Sequence, residues 1–286
     1  MRNAEEMERL IRGWAEGDDR VRALILNGSR ANPDARADIF QDYDIAAVVS
    51  ALAGFLDDRR WIEQFGPRII MQTPDELGDP APDHYERFAF LMLFSDGNRL
   101  DLTLYPRGKA VDVDERHVIW LDKDGTAAAH VRVDAAGMLP KPPTSRQYAY
   151  CCNEFWWVST YIAKGLARRE LPYAKAMFDG PVRKMLNRMV TWWIGVESGF
   201  TADPGKMGRY FEKHLAPHHW AQYVQTFPDA DPDHMWRALS AMGELFREAA
   251  TVVGHSLGYA YPSQQDENVS AYLACIRDRS TEASEP

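Results

Sequence analysis

The first part of the chain shows the pattern of a helix followed by short strands. Apolar residues at helical spacing predict an amphipathic helix over residues 4–16. Short segments rich in apolar residues then predict strands, and the segment "DIAAVV" is apolar enough to lie buried within a sheet. These predicted strands cover residues 21–27, 44–49, 67–72 and 117–125.

The strongest strand pattern is "RFAFLMLFSDGNRLDLTLY", residues 87–105. Two apolar stretches flank Ser95-Asp96-Gly97-Asn98, and an Asp-Gly pair between such stretches favours a tight hairpin turn. Side chains alternate between the two faces of a strand. The leucines of "RLDLTLY" therefore share one face, and Asp101 lies on the other face with Thr103 and Tyr105.

The pattern changes after the proline-rich segment "LPKPPT", residues 139–144. Apolar residues then recur at helical spacing, and the segments between them contain capping and breaking residues. The predicted helices cover residues 145–170, 181–198, 208–217 and 232–258. The chain is thus predicted to be α+β, with a mixed-sheet domain over residues 1–140 and a helical bundle over residues 145–286. We expect the functional site in the cleft between the two domains.

Composition narrows the possible classes of protein. The 286 residues carry a net charge of −9 with a pI near 5.4, which argues against a nucleic-acid partner because such binding depends on basic residues. No apolar run approaches the length of a membrane span, and the polar N-terminus does not resemble a targeting peptide. Three cysteines make no disulfide framework or zinc pattern. We expect a cytoplasmic protein; its oligomeric state is not indicated.

Three aspartates are the strongest candidates for chemistry. Asp42 and Asp44 are two residues apart at the head of a predicted strand, so their side chains should point to the same side. Asp101 lies inside an apolar strand, where a buried acid must be paired, protonated or bound to a ligand. If the two strands are neighbours, three carboxylates meet and suit Mg²⁺, which prefers oxygen ligands. The pair at Asp42 and Asp44 is also compatible with a solvated strand end.

Gly28-Ser29-Arg30 follows the first predicted strand and complements these acids. Glycine allows the backbone to approach a ligand closely. Ser29 offers a hydroxyl and an N–H group to phosphate oxygens, and Arg30 adds a charged fork. A Gly-Ser turn alone is only a turn; the order of strand, Gly-Ser, loop, Asp-x-Asp and distant Asp is far more specific.

This order resembles the polymerase-β-like nucleotidyltransferase superfamily. Further segments make the chain similar to the streptomycin (aminoglycoside 6-) adenylyltransferase family over nearly its whole length. These segments are "LNGSRANPDARADIFQDYDIAAVV", "FGPRIIMQTPDE", "LMLFSDGNRLDLTLYP", "CCNEFWWVSTYIAKGLARRE" and "MWRALSAMGELFRE".

The resemblance implies a reaction and assigns roles to residues. AMP would pass from ATP, as its Mg²⁺ complex, to a streptomycin hydroxyl at the 6 position, releasing pyrophosphate and inactivating the antibiotic, as in antibiotic resistance. Asp42 and Asp44 would hold Mg²⁺, and Asp101 would complete the metal site and help to deprotonate the hydroxyl. Gly28, Ser29 and Arg30 would contact the phosphates.

The helical half offers further candidates for ligand binding. By the same resemblance, Lys164 and Lys206 would contact phosphate. The guanidinium groups of a streptomycin-like substrate call for an acid beside aromatic rings, and Glu154 in "NEFWW" is preferred over Asp179 and Glu197. Two alternatives stay open: a nucleotidyltransferase with another acceptor, and a non-catalytic, antitoxin-like binding module.

Overall fold

The structure is a computed structural model that describes residues 1–33, 35, 38–77, 85–114, 116–133 and 139–282, with side chains as far as residue 280. The chain divides into two compact units, residues 1–135 and 136–286. Within these residues, every helix is too short or too polar to cross a bilayer.

The first unit contains a mixed sheet. Its strands are β1 (Val21–Asn27), β2 (Tyr43–Val49), β3 (Arg68–Gln72), β4 (Phe88–Phe94), β5 (Arg99–Pro106), β6 (Val111–Val113), β7 (Val118–Asp122) and β8 (Val131–Val133). The sheet has the order β3-β4-β5-β2-β1-β7, while β6 and β8 form a separate parallel pair. Within the sheet β2 and β5 run parallel, and the other neighbours are antiparallel. All the predicted strands are confirmed; β6 and β8 were not predicted, because three residues carry too little pattern.

The helices of the first unit are α1 (Ala4–Gly17), α2 (Gly28–Ala31), α3 (Ala53–Leu56) and α4 (Ala127–His130), with a 3₁₀ helix at Arg60–Phe65. A capping box starts α1, because the Asn3 side chain accepts from the Glu6 N–H and the Glu6 carboxylate accepts from the Asn3 N–H. Its apolar face buries Met7, Ile11 and Trp14 in the main core of the unit. The predicted opening helix is confirmed.

The two faces of the sheet carry unequal cores. Tyr43, Ile45 and Ala47 of β2 face the main core, whereas Ala46 and Val48 face a smaller cluster that includes Tyr105 of β5. The leucines of β5 are completely buried in the main core, as their alternation predicted. By the same alternation, Asp44 and Asp101 lie on the face with the smaller cluster.

The second unit is helical. Its helices are α5 (Ser145–Ala167), α6 (Leu171–Met177), α7 (Arg183–Ser198), α8 (Phe211–His214), α9 (Pro217–Gln225), α10 (Pro232–Leu257) and α11 (Ser263–Glu282), with a π-helical turn at Phe178–Val182 and a 3₁₀ turn at Lys206–Gly208. Their core includes Phe155 stacked on Phe246, with ring centroids 3.7 Å apart. Cys151 and Cys152 are buried in it as free thiols. The α+β class is confirmed.

One predicted helix of the second unit was wrong in extent, and three helices of that unit were not predicted. The segment 208–217 contains only α8, because Leu215 adopts an extended conformation. Pro217 then starts α9 at a position where a missing N–H costs nothing. Helices α6, α9 and α11 were not predicted from the pattern, and neither were the four-residue helices α2, α3 and α4 of the first unit.

Candidate active site

Strand pairing brings the predicted carboxylates together at one place. β2 and β5 lie side by side, with Asp44 directly opposite Asp101, and Asn27 of β1 lies opposite Asp44 on the other side. Asp42 immediately precedes β2. The neighbouring strands that the carboxylate prediction required are therefore present, and the polar residues form a row across three strands.

Gly28 packs directly against this row. It begins α2 with a φ of +68°, and a Cβ added there would lie 2.0 Å from Asp44 Oδ2. Both the left-handed conformation and the close approach call for glycine. The residue thus holds the end of β1 against the Asp44 carboxylate, and the following residues begin α2 beside it.

The environment of Asp44 disfavours its charge. Burial is the main cause that raises the pKa of Asp44 to about 6, and the neighbouring carboxylates of Asp101, Asp42 and Asp114 add to the effect. The guanidinium of Arg99 acts in the opposite direction. A carboxyl with several acidic neighbours and a strongly raised pKa is typical of functional sites.

Arg99 is bound within the carboxylate cluster, which we define as Asp42, Asp44, Asp101 and Asp114. Its Nε and Nη2 donate to the two carboxylate oxygens of Asp101 at 2.8 and 2.6 Å. Its Nη1 lies 3.7 Å from Asp42 Oδ2. Arg99 was not among the predicted site residues, although its position two residues before Asp101 on one strand was a usable signal.

Asp114 is a second residue that sequence analysis missed. Its carboxylate accepts a hydrogen bond from the Gly28 N–H at 3.2 Å, and its own N–H donates to Asn27 Oδ1 at 2.8 Å. These bonds attach the segment after β6 to the junction of β1 and α2. No sequence pattern indicated this contact, because it depends on where the short strand β6 pairs.

Ser29 and Arg30 follow Gly28 in α2. The Arg30 guanidinium donates to the Gln41 carbonyl from Nε at 3.2 Å and Nη2 at 2.8 Å. It also stacks over the Tyr43 ring, 3.9 Å from the centroid. Arg30 therefore anchors the segment that leads into Asp42, and its contact with phosphate stays a prediction. Gln41 Nε2 donates to the Ser29 carbonyl at 3.4 Å, which links the same two segments.

In the second unit, Lys206 lies beside a cavity of about 390 Å³. Two other cations, Lys184 and Arg188, line the same cavity, together with Asn187, Thr191 and the carboxylate residue Asp203. The predicted cation at position 206 thus belongs to a group of basic side chains, as expected of a site for an anion. The others were not predicted, because the fold brings the first half of α7 together with the loop that follows this helix.

Lys164 and Glu154 lie on α5. Lys164 is half-buried, with its ammonium 6.0 Å from the centre of the Tyr272 ring. Glu154 is also half-buried. Of its aromatic neighbours, Phe155 and Trp156 are core residues, whereas the side chain of Trp157 is exposed and donates to the Tyr161 hydroxyl.

The two weaker acidic candidates lie elsewhere in the second unit. Asp179 pairs with Lys175 at 3.1 Å in the π-helical turn. Glu197 is exposed near the end of α7. Neither arrangement favours or disfavours Glu154 as the acid that binds the acceptor.

Comparison with known proteins gives a family for this arrangement. The family model described as streptomycin adenylyltransferase matches residues 1–276. The chain belongs to the streptomycin adenylyltransferase family. An aminoglycoside 6-adenylyltransferase from Bacillus subtilis is 36% identical, over 96% of this chain and 98% of its own. One from Campylobacter jejuni is 34% identical, over 96% and 95%. A crystal structure of an aminoglycoside 6-adenyltransferase from Bacillus subtilis is 31% identical, covering 97% of this chain and 99% of its own, with a TM-score of 0.48.

In this streptomycin adenylyltransferase family member, the cluster has the donor chemistry for a divalent cation. Within the described residues, no three acidic, histidine or cysteine side chains are already arranged as a metal site, and Arg99 holds Asp101 through both oxygens. The four carboxylates nevertheless provide hard oxygen donors of the kind that Mg²⁺ prefers. Their mutual effect on the pKa of Asp44 is the feature that a bound cation would relieve.

Proposed function

We propose that this protein transfers AMP from ATP to a hydroxyl of streptomycin, at the 6 position, and releases pyrophosphate. The main structural support for this proposal is the pair Asp44 and Asp101. The two residues lie opposite each other on parallel strands, and Asp44 lies directly beside Gly28. Membership of the streptomycin adenylyltransferase family supports the reaction and the acceptor. The names of the relatives support an aminoglycoside acceptor and the position modified.

The carboxylates have distinct roles in this proposal. Asp42 and Asp44 would hold Mg²⁺, and Asp101 would complete its ligand set. Bound there, Mg²⁺ would neutralise phosphate charge and make the acceptor hydroxyl easier to deprotonate. Gly28 keeps Asp44 in place, because any side chain at that position would displace the carboxylate.

The transfer step breaks a phosphoanhydride bond of ATP and forms a phosphate ester bond to the acceptor. The acceptor oxygen forms a bond to the α-phosphorus, and the bond from that phosphorus to the oxygen bridging to the β-phosphate breaks. Asp101 takes the proton of the attacking hydroxyl, since an alcohol is too weakly acidic to react unaided at neutral pH. The electron pair of the broken bond leaves with pyrophosphate. Such transfers depend chiefly on positioning and on stabilising charge.

The remaining roles divide between two proposed domains, a catalytic one over residues 1–140 and a substrate- and nucleotide-binding one over residues 145–286. Gly28, Ser29 and Arg30 would contact phosphates from the first, and Lys164 and Lys206 from the second. The cations around Lys206 make it the stronger of the two lysines. Glu154 would bind a guanidinium of the acceptor, with the exposed ring of Trp157 beside it on α5.

The decisive experiment is pyrophosphate release by purified protein from ATP and Mg²⁺, with streptomycin, spectinomycin, kanamycin and lincomycin as acceptors. Release with streptomycin and not with the others is the expected result. Mass spectrometry and NMR of the product would then locate the new AMP group. The Asp42→Asn variant is the control, because it should bind ATP and remain folded without turning over.

Other outcomes separate the alternatives. Release with a different acceptor would retain the chemistry and replace streptomycin. If no acceptor in the panel gives pyrophosphate release but ATP still binds, the acceptor is a compound outside the panel. If there is neither pyrophosphate release nor ATP binding, the enzymatic role is wrong and a binding module is favoured.

A further inference from the structure

Arg99 occupies the carboxylate cluster in a way that the proposed reaction does not use. Resting on the proposed function, we propose that Arg99 is the internal counter-cation of the nucleotide-free site and competes with the divalent cation for Asp101 and Asp42. The competition follows from its contacts, because the side chain binds Asp101 and faces Asp42.

Both oxygens of Asp101 are engaged by one guanidinium. The contacts from Nε at 2.8 Å and Nη2 at 2.6 Å form a bidentate fork, the strong geometry for an arginine and a carboxylate. A cation that uses Asp101 must therefore either share these oxygens with the guanidinium, against the repulsion of the two positive charges, or displace it. Nη1 lies 3.7 Å from Asp42 Oδ2, so displacement also changes the surroundings of the second proposed ligand.

Arg99 is placed so that it can leave without unfolding the sheet. Its side chain is 44% exposed, whereas that of Asp101 is 19% exposed. Arg99 is the first residue of β5, and the Asp96-Gly97 turn lies just before it. The guanidinium can thus turn into solvent, or towards an arriving phosphate, while β5 stays paired with β2.

This arrangement makes metal binding depend on the nucleotide. In the nucleotide-free protein, Arg99 partly neutralises the cluster and lowers the gain from binding a cation. A nucleotide supplies phosphate oxygens that complete the coordination of the metal and give the released guanidinium a new partner. Arg99 therefore acts through the metal ligands as a positioning residue.

Direct Mn²⁺ binding without nucleotide tests the competition. Free Mn²⁺ would be measured by electron paramagnetic resonance for wild type, Arg99→Gln, Arg99→Lys and Arg59→Gln. Arg59 is the matched control, because it forms a similar fork with Glu76, at 2.9 Å for both contacts, outside the cluster. Arg99→Gln should bind Mn²⁺ about fivefold or more tightly than wild type, and Arg59→Gln within about twofold of it. Arg99→Lys should fall between wild type and Arg99→Gln, because the charge stays and the fork is lost.

A second readout does not depend on Mn²⁺ affinity. Addition of Mg²⁺ should raise the thermal unfolding temperature of Arg99→Gln by more than that of wild type, because only the variant lacks a counter-cation. Mn²⁺ affinity in Arg99→Gln that is unchanged or weaker than in Arg59→Gln would overturn the inference. If Asp42→Asn binds Mn²⁺ as tightly as the wild-type protein does, the proposed metal site is wrong, and the inference about Arg99 is wrong with it.

Discussion

Two aspartates, one in each unit, show how strongly the surroundings of a carboxylate change its pKa. Asp266 at the start of α11 is only 3% exposed, yet it accepts hydrogen bonds from Arg247 at 2.7 Å, Tyr261 at 2.8 Å and Ser270 at 2.9 Å. Burial alone would raise the pKa of Asp266, but the hydrogen bonds outweigh it and lower the pKa. Burial, reinforced by three acidic neighbours, raises the pKa of Asp44 to about 6.

The contrast separates a carboxylate with a structural role from one with a proposed functional role. Asp266 ties α11 to Arg247 of α10, and its charge is fully matched by donors. Asp44 is buried beside carboxylates of its own sign, which Arg99 offsets only in part, and this arrangement costs stability in the free protein. Proteins retain such unfavourable arrangements at sites where a bound ligand offsets the cost. Substitutions at the two positions should therefore have opposite signatures.

Asp44→Asn should have the largest effect. It removes a proposed metal ligand, so kcat for pyrophosphate release should fall by about a thousandfold or more. Stability at pH 7 should not fall, because the raised pKa means that ionised Asp44 is less favourable in the folded than in the unfolded protein. Steady-state kinetics and urea unfolding together check the result. Retained activity, or a clear loss of stability, would remove the distinction between the two carboxylates.

Gly28→Ala should have the next largest effect. The new Cβ would need the space of Asp44 Oδ2, 2.0 Å away, so the carboxylate must move. Displacement of a catalytic group by about 1 Å can cost about a hundredfold in kcat/KM. Gly108→Ala is the matched control, since Gly108 also has a positive φ but no atom within 4 Å of an added Cβ. Equal losses in the two variants would mean that backbone strain, not the clash, is responsible.

Sequence pattern was sufficient for the parts of the site that follow from local periodicity. The strand β2 could be predicted from its apolar run, and the hairpin of β4 and β5 from Asp96-Gly97. The opposite faces of Leu100 and Asp101 follow from alternation alone. These features depend on neighbours within a few residues, which a sequence displays directly.

The parts that were missed depend on residues distant in the chain or on the conformation of a side chain. Asp114 joins the site only because β6 places it beside Gly28, 86 residues away in sequence. The fork between Arg99 and Asp101 depends on a choice of side-chain conformation, since Arg99 could equally have faced solvent. The register that sets Asp44 opposite Asp101 required knowing which strands pair. Such facts are fixed by tertiary packing and not by local pattern.

Asp266→Asn should reduce stability without reducing catalysis. It removes the charge paired with Arg247 and weakens the bonds that join α10 to α11. We expect a loss of about 2 kcal/mol, less than for a fully buried ion pair because Arg247 is partly exposed. Urea unfolding measures the loss, with kcat per folded molecule unchanged. Glu267→Gln makes the same charge change at an exposed site on α11 and should cost little.

The stability difference between wild type and Asp266→Asn should depend on pH. Because the pKa of Asp266 is lowered on folding, its carboxylate contributes stability above the pKa of the unfolded chain and loses it as pH falls through the folded value. The difference should be constant from about pH 8 to pH 5 and should shrink below about pH 4. Urea unfolding over this range checks it. A difference that grows in acid would contradict the assignment of Asp266 as an ionised, hydrogen-bonded group.

Lys206→Met should have the smallest effect, and it asks whether the second unit also holds charge for a ligand. Lys206 shares its cavity with Lys184 and Arg188, so like charges are gathered there as carboxylates are gathered around Asp44. If they receive phosphate, Lys206→Met should raise the KM for ATP about fivefold and change kcat less. Lys164→Met is the matched comparison, since Lys164 lies beside the Tyr272 ring. A larger rise in the KM for ATP with Lys164→Met would place the phosphate contact on α5. No rise in either variant would mean that neither lysine of the second unit binds phosphate.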